Sequence, residues 1–491
     1  MLLNKSLVKL GFIYAIGQVL SKALSFILLP IYTRQLGTVG YGQLALADTI
    51  LDFIGAFIIC GIYSGYYRFY SEYNENQRRK LKNTAINFAL ALAIFDFTLV
   101  ILVGKFIAKL IFDFNNSYEI LVLIVLRSII VQFVMLLMCD YTLNYKAVIT
   151  VTTNLVNLVM NMCFSILLVV YLKKGIIGVY KGYIYSNLII LIYLVIINIK
   201  AYRFEFDKGM LKNMLTFSAG YIPTSLANTV LTLSDRYFLS GFIGYSVTGI
   251  YSIGYKFGTL IEPIFISPFK SVFTPYKFQV WKDDDAQDKL NNMFIKYHFI
   301  GCFIILIISF YCKGVIFIFT TNAYSDVYKL VPLILLSYFL YEQNSFYSLG
   351  IEIHNKTYME SFIMIAGGVI NIILNVLIIP KYGMYGAAVA TIVSYIIINI
   401  MYILYAMPMY YIRYKFKDSI KFYIIILNLY LIYYFISINN INLFLESIIS
   451  FILLVVYIYL CITLKLLKKE ELLFYFNIIK QKVNLKLNRG I

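Results

Sequence analysis

The segment Gly37-Thr-Val-Gly-Tyr-Gly42 is followed 207 residues later by a second segment of the same form, Gly244-Tyr-Ser-Val-Thr-Gly249. A further pair, Gly175-Ile-Ile-Gly178 and Gly383-Met-Tyr-Gly386, is separated by 208 residues. This nearly constant separation indicates that a unit of about 200 residues occurs twice in the chain. In a membrane protein, such a duplication predicts a substrate site between the two copies.

The composition is that of a membrane protein. Of the 491 residues, 61% are hydrophobic and only 13% are charged, and the mean hydropathy is +0.80. These values lie far outside the range of soluble domains. Apolar runs of about 20 residues, the length of a membrane-spanning helix, follow one another along the chain. We therefore predict an all-α polytopic membrane protein with fourteen transmembrane helices, at about residues 10–30, 43–64, 84–104, 118–138, 149–171, 178–198, 214–234, 246–270, 293–312, 328–348, 358–379, 384–406, 420–438 and 444–464.

Positive charge sets the predicted orientation. Lys and Arg are concentrated in the N-terminal residues, in the loops after even-numbered helices and in the C-terminal stretch. Because such residues accumulate on the cytoplasmic side, both termini are predicted to be cytoplasmic. The net charge of +18 mostly reflects this asymmetry, so it does not indicate a nucleic-acid partner. The stretch 465–489 interleaves basic with apolar residues, which predicts an amphipathic helix on anionic lipids.

The duplication and the orientation together predict the domain organisation. Six helices per copy is an even number, so both copies begin on the same side of the membrane and the repeats are parallel. We expect two six-helix lobes around a central cavity, with helices 13 and 14 outside the repeat. The predicted domains are an N-terminal lobe at 1–205 (helices 1–6), a C-terminal lobe at 206–408 (helices 7–12), helices 13–14 at 409–466, and a basic amphipathic cytoplasmic tail at 467–491.

The sequence carries no catalytic or metal-binding pattern. The six cysteines form no CxxC pair, and neither His298 nor His354 has neighbours at metal-ligand spacing. A Walker A sequence is absent, which excludes ATP hydrolysis by that route. We predict a protein that is not an enzyme and has neither a resident metal nor a cofactor.

Five cations fall within the predicted helices or just inside their ends, and each costs roughly 2.5–3.5 kcal/mol at the bilayer centre. They are Lys22, Arg127, Lys181, Lys256 and Lys270. Facing the cavity, they would form a cationic lining suited to a diphosphate. The alternative is that each is paired with an acid or reaches the membrane interface, which suits Lys181 and Lys270 in particular.

Two further arginines lie near predicted helix ends. Arg34 and Arg68 are placed at opposite faces of the membrane, where they could act as gate or headgroup contacts. Together with Lys22, Arg127, Lys256 and Lys270, they complete the predicted set of substrate-binding cations.

Asp48 and Asp52 are four residues apart and therefore share one face of helix 2. Paired carboxylates in a membrane can bind Na⁺ or take up a proton, so this pair predicts coupling to a Na⁺ or H⁺ gradient. The alternative is that one carboxylate pairs with a cation such as Lys22. For the isolated intramembrane acids we predict a role as balancing partners for cations; these are Asp96, Glu262 and Glu342.

Other polar residues suggest structural roles. Asp235 and Arg236 are placed at the end of helix 7, where a local cap or salt bridge is the simplest interpretation. Two sets of asparagines recur with helical spacing and predict hydrogen bonds between helices, with sugar contacts as the alternative. They are Asn154, Asn157 and Asn161, and Asn371 and Asn375.

Several segments resemble polysaccharide repeat-unit flippases, in a superfamily that also includes multidrug and toxic-compound exporters and lipid II flippases. The resemblance extends from helix 1 to helix 14. The segments that carry it are Leu28-Leu-Pro-Ile-Tyr-Thr-Arg34-Gln-Leu-Gly37, Gly249-Ile-Tyr-Ser-Ile-Gly-Tyr-Lys256, Asn371-Ile-Ile-Leu-Asn375, Ile379-Pro-Lys-Tyr-Gly383 and Gly386-Ala-Ala-Val-Ala-Thr391. The resemblance implies a fourteen-helix, two-lobed fold.

The resemblance also implies a function in a bacterial plasma membrane. A member of this family would move undecaprenyl-diphosphate-linked oligosaccharides from the cytoplasmic to the outer leaflet by alternating access, with helices 13–14 offering a groove for the polyprenyl tail. A polysaccharide polymerase and chain-length proteins are expected partners. The alternatives are a lipid II flippase, a drug or cation antiporter of the same superfamily, and a non-transporting scaffold in a polysaccharide assembly complex.

Overall fold

The computed structural model describes residues 5–200, 202–220, 222–439 and 442–466, and its regular elements in these ranges are all helices. The prediction of an all-α protein is confirmed for this part of the chain. The predicted tail at 467–491 lies outside the described residues.

The chain divides into two compact units. The first comprises Met1–Tyr255, Phe319–Leu330 and Thr357–Ile398; the second comprises Lys256–Ile318, Val331–Lys356 and Asn399–Ile491.

The first unit contains nine helices from the N-terminal half of the chain and most of one long helix from the C-terminal half. The nine are α1 (Lys5–Phe57), α2 (Ile62–Phe69), α3 (Glu75–Ile111), α4 (Ser117–Leu143), α5 (Ala147–Ser165), α6 (Gly175–Asn198), α7 (Lys208–Ala219), α8 (Ile222–Phe242) and α9 (Tyr245–Gly258). A π-helical turn at Ile166–Tyr171 continues α5.

The second unit contains the remaining helices. They are α10 (Ser267–Val280), α11 (Ala286–Phe319), α12 (Val331–Glu342), α13 (Asn344–Tyr347), α14 (Leu349–Ile353), the end of α15 (Thr357–Tyr405), α16 (Phe416–Ile438) and α17 (Leu443–Thr463).

The glycines that open the repeated motifs mark breaks between helices. Gly37 and Gly244 have φ angles of 65° and 116°, and Gly175 and Gly383 have φ angles of 54° and 55°. A side chain disfavours this left-handed region, and glycine does not. Because 53 residues of straight helix would extend about 80 Å, α1 has to be broken to fit a bilayer core of about 30 Å. Gly37 supplies that break, as Gly383 does in α15.

The last glycines of the segments 37–42 and 244–249 pack against each other, Gly42 on α1 and Gly249 on α9. A Cβ atom placed on Gly42 would lie 1.8 Å from the carbonyl oxygen of Tyr245, and one placed on Gly249 would lie 2.2 Å from that of Thr38. Thr38 and Tyr245 are themselves 207 residues apart. The contact is therefore reciprocal between the two copies, which is the pattern that a two-fold relation produces.

An aromatic core holds the second unit together. The ring of Tyr297 stacks on that of Phe339, with centroids 4.5 Å apart and planes 9° apart, and its hydroxyl donates a 2.6 Å hydrogen bond to the Phe339 carbonyl. Phe265, Phe269 and Phe346 pack around this pair. Large aromatic side chains bury much area and fix their neighbours through specific ring geometry.

The last two helices are attached to α11 by an ion pair and a hydrogen bond of one lysine. Lys313 of α11 lies 3.1 Å from Glu446 of α17 and donates a 2.8 Å hydrogen bond to the hydroxyl of Ser437 in α16. Glu446 also accepts a 2.8 Å hydrogen bond from Tyr433. Lys313 thereby ties both C-terminal helices to α11 within this unit.

Within the described residues, eight helices are long and apolar enough to cross a membrane, or nine if one bent pair is counted as a single span. This criterion treats the broken helix α15 as one span. The structure therefore confirms a polytopic helical protein, while the count of fourteen helices, the two six-helix lobes and the bounds of the four domains stay predictions.

Candidate substrate site

Helix α4 is almost wholly apolar, and the single arginine at its centre lies beside α1 and α6 in the first unit. The guanidinium nitrogen Nη1 of Arg127 is 3.3 Å from Oδ1 of Asp48, and its central carbon is 3.8 Å from the ring centroid of Tyr183. Tyr180, one turn from Tyr183, donates a 3.0 Å hydrogen bond to the same carboxylate oxygen. These four residues form what we call the Arg127 cluster.

The cluster leaves Arg127 with unused hydrogen-bonding capacity. A guanidinium has five N–H donors, and within the described residues its only hydrogen bond is the one to Asp48. The Nε atom is buried without an acceptor. The Arg127 side chain is 16% exposed, whereas that of Asp48 is 48% exposed. The arginine is thus held by a tyrosine face and only loosely matched by its carboxylate.

A second arginine and a second acid lie close to this cluster. Asp52 is exposed and one helical turn from Asp48, and it interacts electrostatically with Asp48, Arg236 and Arg127. Arg236 of α8 lies 4.7 Å from the ring centroid of Tyr255 and donates a 3.3 Å hydrogen bond to a serine of α9. Two arginines and two aspartates therefore balance one another around this part of the first unit.

Asp235 is the centre of a separate, fully buried group. It is 1% exposed, and its carboxylate accepts hydrogen bonds from Tyr251 at 2.5 Å, Asn375 at 2.9 Å and Thr391 at 3.1 Å. We call these four residues the Asp235 cluster. In the described part of the chain, Asp235 forms no ion pair. Three donors offset the cost of burying the carboxylate.

The Asp235 cluster corrects one prediction and confirms another. Asp235 is not a cap at a helix end, because α8 continues to Phe242 and places it in the helix interior. The predicted bonding between helices is confirmed for the second asparagine pair. Asn375 donates to Asn371 at 3.0 Å, and Ser234 of α8 donates to Asn371 at 3.2 Å.

The first asparagine set shows the predicted bonding at one of its three positions. Asn157 donates a 2.9 Å hydrogen bond to Asn187 of α6. Asn154 is exposed, and the amide of Asn161 is buried with no hydrogen-bond partner within the described residues.

Several predicted intramembrane charges are paired with acids. Lys181 is 2.9 Å from Glu119, and Lys270 is 3.0 Å from Glu342. The balancing role predicted for Glu342 is confirmed. Asp96 has one buried carboxylate oxygen without a hydrogen-bond partner and no ion pair in the described part of the chain, and Glu262 is exposed.

The remaining predicted cations are distributed over both units. Lys22 and Arg34 are exposed on α1, and Arg68 pairs with Glu72 one turn later. Among the described residues none of these three forms an ion pair with Asp48. The alternative that one of the two carboxylates pairs with a cation is confirmed for Asp48, with Arg127 rather than Lys22 as the partner. Lys256 and Lys270 belong to the second unit.

Sequence reasoning missed the tyrosines of the Arg127 cluster and the position of Arg236. Tyr180 and Tyr183 are three residues apart in a largely aliphatic stretch, which is the spacing of one helical face. That spacing is a usable signal, but aromatic residues are so frequent in this chain that it did not distinguish these two from membrane-interface rings.

Comparison with known proteins agrees with this architecture. The family model described as polysaccharide biosynthesis protein matches residues 7–281. The structure of the lipid II flippase MurJ in an inward closed conformation superposes with a TM-score of 0.71 at 16% identity, covering 95% of this chain and 100% of that one. No curated protein matches the sequence.

Two transporters of the MOP superfamily have related folds. An inward-facing multidrug resistance MATE transporter superposes with a TM-score of 0.62 at 12% identity, covering 80% of this chain and 98% of its own. A transporter from Pyrococcus furiosus, described as having a binding pocket of reverse polarity, gives a TM-score of 0.55 at 15% identity, with 82% and 95% covered. These relatives are flippases and transporters rather than enzymes. The chain belongs to the polysaccharide biosynthesis protein family and has the membrane-transporter fold of the MOP superfamily.

Proposed function

We propose that this protein moves polyprenyl-diphosphate-linked oligosaccharide repeat units from the cytoplasmic to the outer leaflet of a bacterial plasma membrane for surface polysaccharide synthesis. The family and the fold support a flippase or transporter of lipid-linked material. The observation that carries the choice of an anionic cargo is Arg127, a guanidinium within a membrane helix that has one hydrogen bond to the described residues for its five donors. In this proposal the diphosphate binds at Arg127.

A guanidinium suits this role for a geometric reason. Its planar array of donors matches two phosphate oxygens at once, so binding is both strong and oriented. At about 4 Å and an effective dielectric of 20, one such charge pair is worth roughly 4 kcal/mol before desolvation is counted. The face of Tyr183, 3.8 Å away, fixes the guanidinium plane.

The proposed mechanism is an exchange of partners at Arg127. In the described structure the guanidinium contacts Asp48. An incoming diphosphate, with more negative charge, would displace that carboxylate. Asp48 would then stand unpaired one turn from Asp52, and two neighbouring carboxylates favour uptake of Na⁺ or a proton. Cargo binding and ion binding would thus be linked through one side chain.

The Asp235 cluster offers a second place for ion coupling. The ligands of a bound cation would be oxygen atoms of Asp235, Asn375 and Thr391. Oδ1 of Asn375 is buried with no partner among the described residues. Hard oxygen ligands of this kind suit Na⁺, and a proton would neutralise the buried carboxylate equally well. Substitutions at Asp48 and Asp52 and at Asp235, tested in Na⁺ and in pH gradients, would therefore identify the driving ion.

The other predicted contacts complete the proposal. Lys22, Lys256 and Lys270 would add positive charge along the route, and Arg34 and Arg68 would contact headgroups at the membrane faces. The polyprenyl tail would lie along α16 and α17, and both termini would be cytoplasmic. A polysaccharide polymerase and chain-length proteins would receive the flipped product.

A second candidate is transport of lipid II, the cell-wall precursor. It is favoured by the superposition with the lipid II flippase MurJ, which covers 95% of this chain. Lipid II also carries a polyprenyl diphosphate, so the Arg127 cluster would serve either cargo. The two differ in the attached glycan, and competition between the two purified lipids separates them.

The test is a flipping assay with purified protein in proteoliposomes. A polyprenyl-diphosphate-linked oligosaccharide is placed in the membrane, and its appearance at the opposite leaflet is followed with an impermeant glycosidase. We expect Arg127→Ala to slow flipping roughly 100-fold, because hydrogen bonds to charged groups are worth about 1.5–3 kcal/mol each and 1.4 kcal/mol is tenfold.

The matched control is Lys181→Gln, which removes another intramembrane cation that is paired with a carboxylate. This variant should keep most of the activity. Normal flipping by Arg127→Ala, with protein of normal stability, would show that the cargo is not held at this arginine.

A further inference from the structure

Helices α3, α4 and α6 of the first unit line a cavity of about 960 Å³. Its two ends differ in chemistry. Arg78, Arg79 and Lys82 of α3 line one end together with the acids Glu75 and Asp140, and the other end is lined by aliphatic and aromatic side chains of α3, α4 and α6.

The order of residues along α3 gives the cavity a direction. Lys82 is followed on the lining by Ile86, Leu90 and Ala93. At 1.5 Å per residue, the apolar wall extends about 16 Å from Lys82 to Ala93. On α4 the sequence runs the opposite way, with Asp140 near the cations and Phe133 farther along. The polar ends of the helices therefore converge on one end of the cavity.

The three cations at this end of the cavity differ in their acidic partners. Lys82 is 11% exposed and lies 2.5 Å from Asp140 and 2.9 Å from Asn198, and Arg79 lies 3.8 Å from Glu205. Arg78 stacks 4.5 Å from the ring centroid of Tyr70 and donates one 2.8 Å bond, from Nε, to the Tyr70 carbonyl. In the described part of the chain it forms no ion pair, so its terminal donors are the ones that an anion would meet.

We propose that this cavity binds an anionic phospholipid, with its phosphate at Arg78 and Arg79 and an acyl chain along the apolar wall. A basic pocket between membrane helices on the cytoplasmic side is the arrangement that recognises anionic lipid headgroups. The positive-charge pattern predicts that side for this end of α3. An inter-helix cavity lined by apolar residues at membrane depth is also a natural place for a lipid chain, because water would leave those walls unfavourably solvated.

The lining of the cavity argues for a phospholipid rather than for the glycan cargo, because the wall beyond Lys82 is apolar and suits an acyl chain. Among the residues that line the cavity, none belongs to the Arg127 cluster. The site is therefore distinct from the Arg127 cluster, and the inference stands whether or not the proposed cargo is right.

The test replaces the single tryptophan of the chain and introduces one in the cavity wall. In a Trp281→Phe background, Phe133→Trp places a fluorescent reporter on the cavity wall at a position that is 9% exposed and shielded from bulk lipid. The protein is reconstituted with phosphatidylglycerol or phosphatidylcholine carrying the same brominated acyl chains, which quench tryptophan on contact. We expect half-maximal quenching at about tenfold lower mole fraction of phosphatidylglycerol.

Two variants and one measurement complete the test. Arg78→Gln with Arg79→Gln should raise the phosphatidylglycerol requirement to that of phosphatidylcholine, while Lys208→Gln with Lys212→Gln, on the helix α7 and outside the cavity lining, should not. Native mass spectrometry of the unsubstituted chain should show a retained phosphatidylglycerol that the arginine variant loses. Equal quenching by the two lipids, or retention unchanged by the arginine substitutions, would overturn the proposal.

Discussion

The Arg127 cluster and the Asp235 cluster both place an aspartate beside at least one tyrosine inside the first unit, yet they are suited to different tasks. Asp235 is 1% exposed and takes three hydrogen bonds from neutral donors. Asp48 is 48% exposed, and its partner Arg127 has donors that no described residue accepts. A buried carboxylate that accepts hydrogen bonds from α9 and α15 holds those helices together, whereas an open and incompletely matched pair can exchange its partner for a ligand.

This difference shows why intramembrane charge alone does not identify a cargo site. Lys181 and Lys270 are also charges in membrane helices, and each lies about 3 Å from a carboxylate, as Arg127 does. What distinguishes Arg127 is the mismatch between its donors and the acceptors around it. The following predictions are ordered by the size of the expected effect.

The largest effect should come from emptying the centre of the buried cluster. Asp235→Ala removes the carboxylate that accepts hydrogen bonds from Tyr251, Asn375 and Thr391, and a hydrogen bond to a charged group is worth about 1.5–3 kcal/mol. We expect the free energy of unfolding in detergent to fall by on the order of 3 kcal/mol or more. Asp48→Ala, at the half-exposed position, should change it by less than about 1 kcal/mol. Equal losses for the two variants would erase the contrast between the clusters.

The glycine contact joins the helices that carry the two clusters, since α1 holds Asp48 and α9 holds Tyr251. Gly42→Ala would force its methyl group against the Tyr245 carbonyl, 1.8 Å away. Overpacking of this kind costs typically 1–3 kcal/mol, and we expect a loss of thermal stability together with impaired flipping. Gly241→Ala is the control, because no atom lies within 4 Å of its added carbon. A stable and active Gly42→Ala protein would refute the close contact.

The ion pair between Arg127 and the half-exposed Asp48 should be weak enough for the diphosphate to displace Asp48. Asp48→Asn removes the carboxylate that competes for Arg127, and exposed pairs are worth about 0.2–1 kcal/mol. We therefore expect the diphosphate lipid to bind up to about fivefold more tightly. Isothermal titration in detergent measures the change, with Glu119→Gln as control, since it removes a carboxylate that pairs with Lys181 instead.

A third aspartate, outside the membrane helices, should give the smallest effect. A hydrogen bond from Lys80, together with those from the backbone of Met210 and Gly209, lowers the pKa of Asp207 from its ordinary value. Its contribution to stability is then present above the unfolded pKa of about 3.9 and is lost as the pH falls through the lowered pKa. The stability difference between wild type and Asp207→Asn should therefore be small at pH 7 and vanish in strong acid. A difference that grows on acidification would contradict this assignment.

Much of the fold could be predicted from hydropathy and glycine. The last two helices, expected at 420–438 and 444–464, are found at Phe416–Ile438 and Leu443–Thr463. The repeated glycines coincide with breaks between helices. A positive φ angle favours glycine at a single position, so the sequence alone can indicate where such a break occurs.

The candidate site was less predictable. The spacing of Asp48 and Asp52 gave their shared face, but their partner Arg127 lies 79 residues away on another helix. Helical periodicity assigns a residue to a face and does not say which helix packs there. For the same reason the sequence placed Asp235 at a helix end, although side chains from α9 and α15 enclose it.

The most direct test of the central claim is a double-mutant cycle on binding of the polyprenyl-diphosphate-linked oligosaccharide. The dissociation constant is measured for wild type, Arg127→Ala, Asp48→Asn and the double variant. If cargo displaces Asp48 from Arg127, Arg127→Ala weakens binding roughly 100-fold, and Asp48→Asn strengthens it only when the arginine is present. An Asp48→Asn gain that persists without Arg127, or full affinity in Arg127→Ala, would contradict the account.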